Sequence, residues 1–405
     1  MDNLDRDRQK VLHSIFTQNV PTRSSIAQSV GLSLIKISSI LSVLEKNGSI
    51  IKKGKTTTKS GRPSFIYSLT SDFGYSVGVS LAPGSFRIVI VNSAKELLYD
   101  KVFKLKIPNH PDKQIEAILE SITEKLKSSI NGQLGNKQPL AIGFALPGMV
   151  DVERGVWLRG LQLSGISNVP VKDVFTDRFK LPVFVDDISR SITYREMYVG
   201  SGIDISDFIL LYVGIGLGAG VVIDGKVFHG FHGLGGEIGH IQHINNKYRC
   251  SCGSIGCLET VVSEPGILHV FRERLHEGVV SYLQKYTYGS VEALTLDNIL
   301  TAAENNDHLA VTALREIGEF LGDTCAILIK LFDPEKIIVS GYGARFKNYF
   351  REPVNRVITQ RVLPEMLKNF KLNFSDYEHN QEAIGAAFFA LKNILDTKVK
   401  SNMIF

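Results

Sequence analysis

Residues 236–240 read Gly236-Glu237-Ile238-Gly239-His240, and residues 250–259 read Cys250-Ser251-Cys252-Gly253-Ser254-Ile255-Gly256-Cys257-Leu258-Glu259. This stretch holds three of the four cysteines, with His240 ten residues before the first of them. A thiol pair separated by one residue, a third thiol five residues on and an imidazole that a short loop can fold back make a set of four soft to borderline ligands. Such a set suits a closed tetrahedral zinc site, so Zn2+ is expected on His240, Cys250, Cys252 and Cys257. With protein atoms in every ligand position no place is left for water, and the ion is expected to be structural. Disulfides are disfavoured, because three clustered thiols are an odd set and nothing in the chain points to an oxidising compartment. Cys325, in the apolar run Thr324-Cys325-Ala326-Ile327-Leu328, reads as a core residue.

Outward from this stretch, a chain of 405 residues exceeds what one hydrophobic core serves, so two or three domains are expected. Apolar residues are 44% and charged residues 21%, which fits a soluble globular protein and excludes disordered and fibrous classes. No run of eighteen apolar residues occurs and the first residues are charged, so no membrane segment and a cytoplasmic location are expected. The net charge of +5 is unevenly placed. Residues 1–70 carry eleven Lys and Arg against four acids, while the remainder is close to neutral. A basic head on a neutral body points to a polyanionic partner for the head.

The periodicity of the head agrees with its charge. Leu4, Val11, Leu12, Ile15 and Phe16 form one helical stripe; Pro21 and Thr22 stop that helix and cap a short one, Ser24 to Val30; Gly31 makes the turn. A third helix, about Ser33 to Asn47, turns Ile37, Ile40, Leu41 and Leu44 inward. Helix, short helix, glycine turn and helix is the helix-turn-helix pattern, whose last helix enters the major groove of double-stranded DNA. Two β segments around a basic loop follow, giving a winged version. Arg23, Ser33, Lys36, Ser38 and Ser39 are expected to face DNA. Lys52, Lys53 and Lys55 would meet phosphates, and Arg62 at the wing tip would lie along a narrow minor groove.

Beyond Tyr75 the pattern becomes strands in hairpins, a helix over 114–130 and a strand from Leu140 to Leu146 that ends at Pro147-Gly148. A second run of this kind starts near Asp207 and turns on Gly214-Ile215-Gly216-Leu217-Gly218-Ala219-Gly220. Repetition of strand, glycine turn and strand predicts an α/β body of two related lobes, with a ligand cleft between them. Three domains are expected: the winged head over 1–70, a first lobe over 71–190 with 381–405, and a second lobe over 191–380 carrying the zinc site and an oligomerisation surface.

The chain resembles the ROK family (repressors, open reading frames and sugar kinases), and specifically its winged-helix transcriptional repressors of sugar metabolism. The resemblance runs through residue 397 and rests on Gly61-Arg62-Pro63, Pro147-Gly148-Met149-Val150-Asp151, Asp186-Asp187, the glycine turn 214–220, Gly236 to His240, and the Cys250/Cys252/Cys257/Glu259 group. It implies an actin-like (ribonuclease H-like) sugar kinase fold. The resemblance also places the family's catalytic base at Asp187 and its sugar contacts at Asp186, Asp187, Glu237, His240 and Glu259; Asp186 replaces the family's asparagine. Its nucleotide side departs from the family pattern. Ser80-Leu81-Ala82-Pro83-Gly84 stands where the family has Asp-x-Gly-Gly-Thr, and Ile215 stands where a kinase has threonine. Ser80 offers no carboxylate to Mg2+ and Pro83 has no N–H for a phosphate, so kinase activity is not expected and Asp187 reads as a vestigial base. Gln162 and Ile166 stand where the family has Asn-Leu-x-Gly-Trp, which suggests a ligand other than plain glucose. The function implied is a homodimeric or homotetrameric repressor on a palindromic operator, released when a sugar or sugar derivative binds between the lobes. The other readings are a sugar kinase with an accessory head, and a repressor controlled by a protein partner.

Overall fold

The computed structural model describes residues 3–56, 63–105, 111–160, 166–243, 246–287 and 290–396. The N-terminal segment forms α1 (Asn3–Thr17), α2 (Arg23–Val30) and α3 (Leu34–Lys46), then the antiparallel pair β1 (Ile50–Lys55) and β2 (Phe65–Leu69). Each boundary has a local cause. Thr22 and Ser25 exchange side-chain and backbone hydrogen bonds as a capping box at the start of α2. Gly31 ends α2 with φ +68°, a left-handed conformation that favours glycine. The Ser33 hydroxyl caps α3 by accepting from the Lys36 N–H at 3.3 Å. The bend between α2 and α3 is 113°, within the range of helix-turn-helix units. Val11, Leu12, Ile15, Phe16, Ile26, Ile37, Ile40, Leu41 and Leu44 are buried as the stripe requires. Leu4 is not: it is 45% exposed, two turns outside the packed part of α1.

Two compact units divide the chain, Met1–Asp204 with His379–Phe405, and Ile205–Glu378. The lobe boundary expected at residue 190 falls inside a helix, α6 (Ile188–Val199), and that helix stays whole in the first unit. The first unit also includes α1–α3 and the β1–β2 pair. Its sheet comes from β3 (Tyr75–Ala82), β4 (Ser85–Asn92), β5 (Leu97–Lys104), β6 (Ala141–Leu146) and, later in the chain, β10 (Val183–Asp187). Before β10 come α4 (Pro111–Leu134), a small sheet of β7 (Met149–Asp151), β8 (Val156–Arg159) and β9 (Ser167–Val169), and α5 (Val171–Phe179). Among the described residues the main sheet runs β10-β6-β3-β4-β5; β3–β4 and β4–β5 are antiparallel, β3–β6 and β6–β10 parallel.

The second unit repeats this plan. Its strands are β11 (Phe208–Val213), β12 (Leu217–Ile223), β13 (Lys226–Val227), β14 (Lys336–Ser340) and β15 (Lys371–Phe374). They run β13-β12-β11-β14-β15, again with two antiparallel pairings on one side of the first strand and two parallel ones on the other. The helices are α7 (Glu259–Val262), α8 (Glu264–His276), α9 (Leu296–Glu304), α10 (His308–Phe332) and α11 (Lys347–Arg361). Cys325 on α10 is fully buried, and burial pushes its thiol up to about 12, which suits an inert core residue. Among the described residues no single helix is long and apolar enough to cross a membrane.

The last helix, α12 (Gln381–Leu395), returns to the first unit and lies on β3, β6 and α6. Glycine allows that approach. A Cβ on Gly78 or Gly143 would stand 1.9 Å from a carbonyl oxygen of α12, and one on Gly385 would stand 1.7 Å from the Ser191 carbonyl. The other side of α12 receives the head. The Phe16 ring lies tilted against Tyr198 at 5.1 Å and edge-on to Phe388 at 6.4 Å, and the Gln9 amide donates to the carbonyls of Ile394 and Asp396 at 3.4 and 3.1 Å. The Lys95 ammonium sits 5.1 Å from the ring centres of both Phe16 and Tyr198, and burial pulls it down to about 8. Since no space exists for a methyl group at Gly385, Gly385→Ala is expected to cost about 1–3 kcal/mol of stability, read as a lower midpoint in urea unfolding.

Candidate metal centre and neighbouring sites

Glycines set the course of the loop that carries the candidate metal ligands. Gly236 has φ +101° and would bring a Cβ to 2.1 Å from the Ala219 carbonyl; Gly239 would bring one to 2.4 Å from the Leu217 carbonyl. The loop therefore lies directly on β12, with the Gly236 carbonyl accepting from Ala219 at 2.9 Å, and a single 3-10 turn over Ile238–His240 presents His240. The cysteine loop folds back through the bridges Gln242↔Cys257 and Arg249↔Ile255, and Gly253 and Gly256 turn it with φ +100° and +89°. Asn246 holds its base, donating to the Cys257 carbonyl at 2.7 Å and to the Thr260 hydroxyl at 2.9 Å.

This folding brings together all four residues expected as ligands. The ligand atoms of His240, Cys250, Cys252 and Cys257 lie within 4.8 Å of one another. Cys252 Sγ and Cys257 Sγ are 3.6 Å apart, and Cys250 Sγ is 3.6 Å from His240 Nδ1. A tetrahedral ion with metal–sulfur bonds of about 2.3 Å spans sulfur–sulfur edges of about 3.8 Å and sulfur–nitrogen edges of about 3.6 Å. The Cys252–Cys257 and Cys250–His240 edges match those values, and the whole set, within 4.8 Å, is close enough to converge on one four-coordinate metal. The thiols differ without one: the Ser254 backbone N–H pulls Cys252 down to about 6, while burial pushes Cys257 up to about 12.

Two carboxylates flank the quartet. Glu237 lies 3.9 Å from His240 Nε2, the ring nitrogen turned away from the thiols. Glu259 accepts from the Leu217 N–H at 3.2 Å, and burial raises its carboxyl against the lowering effects of that N–H and of His240. Both begin or adjoin short helical turns, so their positions follow from the metal loop.

Asp186 and Asp187, on the first unit, are held by a residue that the sequence reading omitted. The Arg190 guanidinium, 1% exposed, reaches Asp186 at 2.6 Å through Nε and Asp187 at 2.6 Å through a terminal nitrogen. Asp187 also caps α6, accepting from the Arg190 N–H at 3.0 Å. Asp186 is fully buried and bonded to Arg190 and to the Asp187 N–H, while Asp187 stays partly exposed. A spacing of three and four residues across a helix start was the available signal. Ile166 is buried in the core of the first unit, and Gln162 lies outside the described residues.

On the nucleotide side, Ser80 is an internal strand residue paired with Ala145 and Arg87, and Pro83-Gly84 is an exposed hairpin turn. Beside the second glycine turn, the Glu264 N–H donates to the Gly214 carbonyl at 2.7 Å and burial raises the Glu264 carboxyl to about 7. That half-buried acid was also missed.

The DNA-facing candidates divide by what already engages them. Arg23 is exposed and donates to the Ser38 hydroxyl at 3.3 Å; Ser38 in turn donates to the Leu34 carbonyl at 2.7 Å. The Ser33 hydroxyl is the α3 cap, and Lys36 forms an ion pair with Asp7. Ser39 is exposed. Lys52 pairs with Glu45 at 2.8 Å, while Lys53 and Lys55 are exposed on β1. Arg62 lies outside the described residues. Of these sites, the arginine clamp gives the sharpest energetic test. Arg190→Met leaves the buried Asp186 carboxylate without its arginine beside the partly exposed Asp187, and is expected to cost roughly 3–5 kcal/mol in urea unfolding; a cost below roughly 1 kcal/mol would show that the clamp carries no stability.

Comparison with known proteins agrees with this architecture. The ROK family model matches residues 76–393. Over 385 residues the chain is 29% identical to a xylose repressor of Caldicellulosiruptor bescii, covering 95% of each chain. It is 30% identical over 372 residues to the DNA-binding transcriptional dual regulator NagC of Escherichia coli K12, covering 91% of this chain and 88% of the other. A crystal structure of a ROK family transcriptional regulator, homolog of the E. coli MLC protein, superimposes with a TM-score of 0.79 at 26% identity over 96% of this chain and 97% of that one. With two sheets of one topology, a Cys3His quartet on the loop of the second and a family match spanning both, the chain belongs to the ROK family.

Proposed function

We propose that this protein is a DNA-binding transcriptional repressor of carbohydrate-metabolism genes, released by a sugar or sugar derivative and without kinase activity. The observation that carries the reading is the N-terminal segment: three helices with a 113° bend between α2 and α3, an exposed face of α3, and the basic strand β1 after it. Two such heads on a homodimer or homotetramer would meet the half-sites of a palindromic operator. Arg23, Lys36 and Ser39 lie on the face toward the groove, with Lys53 and Lys55 toward phosphates; Lys36 would exchange Asp7 for the polyanion.

The sugar half of the proposal assigns hydroxyl contacts to Glu237, His240 and Glu259 on the second unit, with Asp187, on the first, as a separate candidate. Carboxylates and an imidazole accept and donate to adjacent hydroxyls, which is the chemistry a polyol offers. Asp187 has an arginine partner at 2.6 Å, a geometry that suits holding a hydroxyl more than removing its proton. The nucleotide side supports the non-enzymatic reading, because Ser80 lies within the β3 ladder and contributes no carboxylate for Mg2+.

Zn2+ fits the quartet by donor type and spacing, with Cys250, Cys252, Cys257 and His240 Nδ1 as its ligands. When bound it supplies fixed geometry and no reaction step, since the protein fills every position. The consequence for function lies in the loop: His240 Nε2 stays turned toward Glu237, where a hydroxyl can bridge the 3.9 Å between them.

Purified protein is expected to contain about one zinc per chain by elemental analysis. Cys250→Ser and Cys257→Ser should each lose the metal and lower the melting temperature; full stability of the metal-free protein would remove the structural role. In gel-shift assays with duplexes from flanking promoter regions, the protein is expected to bind a palindromic site. A panel of pentoses, hexoses, N-acetylhexosamines and their phosphates should include a compound that weakens binding at least tenfold, a bias of about 1.4 kcal/mol between states. Binding unaffected by every sugar would remove the sensor half, and ADP release with any of them would overturn the non-kinase reading.

A further inference from the structure

Isoleucine at position 35 is the second residue of α3, and it is 86% exposed, with its neighbour Leu34 48% exposed. The core of the head does not use it. The inward face is Ile37, Ile40, Leu41 and Leu44, all 2% exposed or less, and Ile35 lies outside that spacing, one turn before Ser38 and Ser39. A single exposed apolar side chain on a protein surface is ordinary. This one stands in the N-terminal turn of the helix that the helix-turn-helix arrangement directs at base edges, among short hydroxyls that reach only a little way. Arg23 is exposed alongside, and β1 brings Lys53 and Lys55, so the surroundings carry the charge a duplex requires.

We propose that Ile35 is a specificity residue of the DNA reader: its side chain packs against the C5-methyl group of a thymine in each half-site. This rests on the DNA-binding reading above and deepens it by naming a base. Thymine is the base whose major-groove edge carries a methyl group, and an aliphatic side chain is its matching contact. Burial against that methyl recovers for Ile35 the hydrophobic free energy that folding alone leaves in solvent. The serine hydroxyl of Ser39, four residues on, lies about 6 Å further along the helix axis. Ile35 and Ser39 therefore lie one turn apart on the same face of α3.

The test begins with selection of bound duplexes from a randomised library by the full-length protein, and by Ile35→Ala and Ile35→Val. Each thymine of the selected motif is then replaced singly by deoxyuridine, which removes the methyl and keeps the pairing. At one thymine per half-site, deoxyuridine is expected to weaken binding by the unchanged protein roughly fourfold, the worth of one buried methyl group. The same replacement should cost Ile35→Ala less than about twofold, with Ile35→Val in between. Circular dichroism melting checks that these surface variants stay folded. A selected motif in which deoxyuridine is neutral everywhere, or in which all three proteins lose equally, overturns the thymine contact and leaves DNA binding standing. Selection of no motif by any protein removes the DNA-binding reading and this inference with it.

Discussion

Backbone laid against backbone around α12 is the constraint on which the first unit depends. At Gly78, Gly143 and Gly385 no side-chain atom separates the helix from the strands or from α6, so main-chain carbonyls approach within a distance that a methyl group would occupy. Close packing of that kind fixes the position of α12 within tenths of an ångström, because interiors are as dense as organic crystals and have little slack. Everything seated on α12 inherits that precision. On one side is the sheet that ends at Asp186 and Asp187; on the other is α1 of the head, held by Phe16 and Gln9.

The metal quartet shows the same principle at smaller scale. Gly236 and Gly239 lower the His240 turn onto β12, and Gly253 and Gly256 turn the cysteine loop back toward it. The four ligand atoms are thereby brought within 4.8 Å of one another. Glu237 and Glu259 are located by the same turns, so the pocket chemistry proposed for them is set by the loop's covalent course and its support on β12.

Much of this was legible in the chain because it depends on neighbours. The quartet was readable from residue type and spacing, the α2–α3 turn from Thr22 and Gly31, and the repeat of two lobes from strand and glycine-turn patterns that recur as two sheets of one order. What escaped depends on partners remote in sequence or on competition between contacts. Phe16 was rightly placed inward, but periodicity does not name Tyr198 and Phe388 as what it meets. The family resemblance pointed to Asp186 and Asp187, but it did not point to Arg190, one helical turn on, which pairs with both. Leu4 matched the helical stripe, yet no element lies opposite it.

The amide of Gln9 reaches carbonyls 385 and 387 positions away, at the end of α12. The two extremities of the described chain thus share a single anchorage. Changes engineered at the carboxyl end, such as a purification tag that pulls on Ile394 or a deletion that reaches it, act on the seating of the amino-terminal helix. In the repressor proposed above, their effects would be felt in nucleic-acid affinity, although nothing on the exposed face of α3 had been altered.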